Sequence, residues 1–139
     1  MHNIIATIAL TFLSISFMAQ DAVKEYKQID QSEKTLEELQ KELAKNPESE
    51  EANYNMAIYY YNQGVALIEN MDYSADKDVL IKKQEEVMQL FETAMPYAEM
   101  AHEMNPREMK TINMLSGLCF GLNDMEKKDY YEAKLAEQQ

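Results

Sequence analysis

The sequence predicts an all-α fold, on three observations: few helix-breaking residues, apolar side chains recurring at spacings of three and four, and start and stop signals between the apolar runs. Only 3 Gly and 3 Pro interrupt 139 residues, which favours long helices over many short strands joined by turns. The length suits one domain, since single domains commonly run from about 50 to 200 residues. A content of 46% hydrophobic and 27% charged residues belongs to a folded chain and not to a disordered one.

The opening stretch MHNIIATIALTFLSISFMAQ holds no Asp, Glu, Lys or Arg. Its apolar run from Ile4 to Ala19 falls short of the roughly 20 residues that cross a bilayer comfortably. Residues 1–19 therefore read as a signal peptide, with an uncleaved membrane anchor as the alternative. Export, to a periplasm or outside the cell, is the expected location, with no membrane span once the leader is cleaved. The whole net charge of −12 then stays with the mature chain, which argues against nucleic acid as a partner because phosphate binding needs a basic surface. A single Cys119 can form no internal disulfide, so the domain must rely on its apolar core.

Residues 20–31 are largely polar, with Tyr26 and Ile29 as weak apolar points, and are expected to be a frayed or partly helical tail; 32–139 is the expected folded domain. Ser32 is a candidate cap for a first helix over 33–45, in which Leu36, Leu39 and Leu43 form one stripe before Asn46 and Pro47 end it. A second helix over 50–70 carries Tyr54, Ile58, Tyr61, Val65 and Ile68 on one stripe, with Met56, Tyr60 and Leu67 on another. Two apolar sides imply two neighbours, or one neighbour and one ligand. MDYSADKD at 71–78 is the expected turn, and a third helix over 76–104 keeps Leu80, Val87, Phe91, Ala94, Ala98 and Ala101 on one face. Pro96 lies inside it, where the missing amide and crowded ring predict a kink near 93–96 or a short break. Beyond Asn105 and Pro106, helices over 108–121 and 124–137 are separated by GLND at 121–124.

Two segments end alike, LQKELAKNP and AEMAHEMNP. Counted from Pro47, Met56, Ala57, Tyr60 and Gly64 stand at offsets of 9, 10, 13 and 17, and Ala94 and Ala101 precede Pro106. This pattern resembles the tetratricopeptide repeat, of the exported bacterial type with a lengthened helix hairpin. In that repeat a large apolar, a small, an aromatic and a glycine residue occupy those offsets, and small residues line the second helix. The unit is about 34 residues, whereas Pro47 to Pro106 spans 59, so about 25 residues are expected to lengthen both helices around a turn at 71–78. After Pro106, Leu115 and Ser116 take the places of Met56 and Ala57; Asn53 replaces the usual Trp or other large apolar residue, and Asn123 a glycine.

The resemblance implies a short right-handed α-solenoid of about five helices in antiparallel hairpins. Met56, Ala57, Tyr60, Gly64, Ala94, Ala98, Ala101, Pro106 and Leu115 would define the repeat's packing. It also implies a groove lined by the first helices, with Glu51, Tyr54, Asn55, Ile58, Tyr61, Asn62, Lys110, Asn113 and Met114 exposed to a partner. Tyr54 and Ile58 stand where the carboxylate-binding members of the family use Lys and Asn, which argues against recognition of a free C-terminus. The 11 Met and 9 Tyr mainly fill core, with a minority available to an adaptable surface.

Catalysis is not expected. Cys119 falls where a helix faces its partner and reads as a small buried hydrophobe, and His102 has no visible orienting residue. Glu99 and His102 form one Glu-x-x-His pair where a carboxylate metal site needs two. Met100 and His102 point about 200° apart on a helix and do not converge as copper ligands. Asp72, Ser74, Asp76 and Asp78 imitate the start of a calcium loop, yet Lys77 stands for its glycine and Lys83 for its bidentate Glu. The expectation is therefore a protein–protein interaction module that binds a protein or peptide, without metal or cofactor. The alternative is a structural homodimer whose groove is filled by its own copy.

Overall fold

A computed structural model describes residues 28–139; the expected leader, and residues 20–27 of the expected tail, lie outside the described residues. The described chain is all-helical, with α1 at Leu36–Lys45, α2 at Glu50–Glu69, α3 at Lys77–Met104, α4 at Met109–Gly121 and α5 at Met125–Ala136. Each helix packs on the next in the chain. The 20 residues of α2 and 28 of α3 make this pair far longer than its neighbours of 10, 13 and 12 residues.

The start of α1 differs from the expectation. Thr35, not Ser32, is its cap: the Thr35 hydroxyl accepts from the Glu38 N–H at 3.3 Å, while the Glu38 carboxylate accepts from the Thr35 N–H at 2.7 Å. This reciprocal box needs Glu three residues after the cap, and Ser32 has Thr35 there. Residues 28–35 are accordingly non-helical. Helix α3 runs unbroken through Pro96, so the expected break is absent. Pro96 and Glu92 are both exposed, which leaves water free to take the Glu92 carbonyl that the ring cannot bond.

The two Asn-Pro junctions are built alike. Asn46 caps α1 with its N–H on the Glu42 carbonyl at 2.9 Å and its own carbonyl accepting from Ser49 at 3.1 Å. Asn105 caps α3 with its N–H on Ala101 at 3.0 Å and its carbonyl accepting from Glu108 at 3.1 Å. The cap dihedrals match, at φ −140°, ψ 88° and φ −138°, ψ 82°. Ser49 and Glu108 then cap the following helices by accepting N–H bonds from Ala52 and Lys110. Asn53 completes the first junction by donating to the carbonyls of Pro47 and Ser49, both at 2.8 Å, so a buried polar side chain locks it.

The first helix buries Leu39, and the largest cluster lies beyond it: Ala57, Ile58, Tyr61 and Val65 of α2 meet Val87, Phe91, Ala94 and Ala98 of α3, and continue into Ile112, Met114, Leu115, Leu118, Cys119 and Tyr131. Phe91 stacks on Tyr61 with ring centres 5.6 Å apart, and Tyr97 on Tyr60 at 6.3 Å. At the Asn-Pro end, Asn105 donates to the Glu50 carboxylate at 3.4 Å. The residues read as repeat-defining are buried, except Tyr60, which is half-buried, and Pro106, which sits exposed in its loop.

Candidate peptide-binding face

Glu51, Asn55, Asn62 and Glu69 recur along α2 at spacings of four, seven and seven, which places them on one face of the helix. The non-helical segment ahead of α1 lies on this face. Gln28 donates from Nε2 to Glu69 at 3.0 Å. The Asn62 amide takes both backbone groups of Ile29: Asn62 Nδ2 donates to the Ile29 carbonyl at 2.7 Å, and the Ile29 N–H donates to Asn62 Oδ1 at 2.8 Å. Lys34 then sets its ammonium between Glu42 at 2.8 Å and Glu51 at 3.5 Å. The segment runs 28 to 34 while its contacts on α2 fall from 69 to 51, so it lies along the helix in the opposite sense.

The chemistry of these contacts is of two kinds. Asn62 bonds main chain only, to a donor and an acceptor that every residue but proline presents. The other contacts are made by side chains: Ile29 is half-buried against the core cluster, and Lys34 is held by carboxylates. The hydrogen bond to Glu42, helped by the charges of Glu42 and Glu51, raises the Lys34 pKa.

The structure redistributes the nine residues expected to line an open groove. Glu51, Lys110 and Asn113 are exposed and Tyr54 is half-buried. Asn55, Ile58, Tyr61, Asn62 and Met114 are buried, which corrects their expected exposure. Ile58, Tyr61 and Met114 belong to the core cluster, in which Tyr61 stacks on Phe91 of α3 and has Gly117 of α4 beside its hydroxyl. Asn62 is covered by Ile29. Burial raises the Tyr54 pKa, and the Glu108 charge raises it further. Sequence reasoning missed Gln28, Ile29 and Lys34; their signal was an isolated isoleucine in a polar stretch, with no periodicity to mark it.

Elsewhere, Cys119 is fully buried and burial pushes its thiol up. Burial lowers the His102 pKa, and the Lys134 charge lowers it further. Its ring meets Tyr131 edge-on at 5.7 Å. The turn after α2 is closed by Asp72, whose carboxylate accepts from the Ser74 N–H at 2.9 Å and hydroxyl at 2.6 Å, and these bonds lower its pKa. Among the described residues no three His, Cys, Asp or Glu side chains converge as a metal site, and no helix is long and apolar enough to cross a membrane. Compared with protein-family models, curated proteins and solved structures, the chain matches none.

Proposed function

We propose that this chain is an exported, tetratricopeptide-like scaffold or adaptor that binds a protein or peptide on the face of α2 and the adjoining start of α4, and that it is not an enzyme. The observation that carries the reading is the Asn62–Ile29 pairing, because a helix face that holds a peptide segment by its main chain is equipped for peptide recognition. Supporting the repeat architecture are the two matching Asn-Pro junctions and the contacts Glu50–Asn105, Tyr60–Tyr97 and Tyr61–Phe91, which run in opposite order along α2 and α3 as an antiparallel hairpin requires. Ala94, Ala98 and Ala101, all fully buried, supply the close helix approach of such hairpins. Export is part of the proposal and rests on the composition of residues 1–19.

The test uses exposed residues, so that binding changes without loss of fold. Partners captured from the native extract by the unaltered chain are compared with those captured by Glu51→Lys combined with Lys110→Glu and Asn113→Ala. Loss of specific partners at unchanged helicity is the expected result. Retention of every partner removes this face as the binding site.

A further inference from the structure

We propose that residues 28–34 are a built-in occupant of the α2 face, and that the face takes in trans an extended peptide with the same pattern: an aliphatic residue gripped through its backbone by Asn62, and a lysine or arginine five residues later that reaches Glu51. This deepens the ligand-face reading above and rests on it.

Three features of the contact set define the ligand. The two bonds between Asn62 and Ile29, at 2.7 and 2.8 Å, engage a donor and an acceptor of one residue, which only an open, non-helical backbone leaves free. The Ile29 side chain is held against the core, so the matching ligand position is aliphatic. Lys34 sits between Glu42 and Glu51, so the position five residues on is cationic, and a basic ligand suits a chain of net charge −12. Proline is excluded at the gripped position, because it has no N–H to donate to Asn62 Oδ1.

The covalent link makes the occupant a competitor. A segment tethered by a short linker acts at an effective concentration of about millimolar. A peptide that binds the vacated face with a dissociation constant of tens of micromolar is therefore weakened at least about tenfold by the resident segment. The face is closed to weak ligands and opens to strong ones, or to any event that pulls residues 28–34 away.

The experiment titrates the fluorescein-labelled peptide YKQIDQSEKT, corresponding to residues 26–35, into the full chain and follows anisotropy. Ile29→Asp should release the resident segment and bind the peptide at least about tenfold more tightly than the unaltered chain. Adding Asn62→Ala should abolish that gain, and a peptide with Asp for its isoleucine or Glu for its second lysine should bind several-fold more weakly to either chain. The peptide comparison stands even if Ile29→Asp loses helicity. Equal affinity for both chains, or binding indifferent to Asn62, overturns the inference. Absence of peptide binding to Ile29→Asp, with partner capture still sensitive to Glu51→Lys, overturns it and leaves the ligand-face reading standing. Light scattering that finds the unaltered chain dimeric and Ile29→Asp monomeric overturns it in favour of segment exchange between two copies.

Discussion

Gly64 of α2 abuts the ring of Phe91: a Cβ on Gly64 would stand 2.8 Å from Phe91 Cδ1 and closer still to Cε1. The ring is fully buried and stacked on Tyr61, so it has little room to retreat. Two effects oppose each other in Gly64→Ala. Helix propensity favours alanine by about 1 kcal/mol, while overpacking a filled core costs about 1–3 kcal/mol. The clash should win, and thermal denaturation should show a melting temperature lowered by several degrees; an unchanged or higher value would mean that Phe91 yields.

Asn123 tests the α4–α5 turn. It has φ 59°, in the left-handed region, and closes α4 with Asp124 N–H on the Cys119 carbonyl at 2.8 Å and its own N–H on Phe120 at 3.0 Å. Asn123→Gly should leave stability unchanged or slightly raised. Asn123→Val should cost about 1–2 kcal/mol by chemical denaturation, because a β-branched residue is poorly tolerated there.

Alkali should weaken the fold through two buried tyrosines. Burial pushes Tyr61 and Tyr131 up to about 12, from an ordinary value of 10.0, with nearby Glu99 adding to the effect at Tyr131. A hydroxyl that ionises later in the folded state than in the unfolded one contributes stability fully present below pH 10. That contribution falls as the pH rises from about 10 to 12, by on the order of 2 kcal/mol for each group. Tyr131→Phe should flatten the loss over this window in denaturation curves taken at successive pH values.

Much of the fold was legible because it rests on local signals. Asn46-Pro47 and Asn105-Pro106 end helices wherever they stand, and the spacing of Val87, Phe91, Ala94 and Ala98 marks a buried face without reference to its partner. The first helix start was legible too, but in Thr35 and Glu38, whose spacing matches a capping box as Ser32's does not. Which apolar stripe faces solvent was not legible. Ile58, Tyr61 and Met114 are apolar at helical spacing whether they meet a ligand or another helix, and only the packing of α3 and α4 around them decides between the two. The segment 28–34 escaped for a similar reason: one isoleucine and one lysine carry no period, and their meaning comes from Asn62, Glu51 and Glu42.

Asn53 separates a locking role from a packing role. Asn53→Leu adds an apolar side chain at this buried position but leaves the Pro47 and Ser49 carbonyls without their side-chain donor. A loss of about 1–3 kcal/mol is expected in chemical denaturation. A gain would show that packing outweighs the two hydrogen bonds.

The grip of Asn62 on the main chain of Ile29 is tested most directly by amide hydrogen exchange at Ile29 in the full chain. The N–H donates to Asn62 Oδ1 at 2.8 Å, so its exchange should be slowed well below the rate of a free peptide and should speed up at least about tenfold in Asn62→Ala. Exchange at the free-peptide rate in the unaltered chain would contradict the account, because the face would then hold no segment.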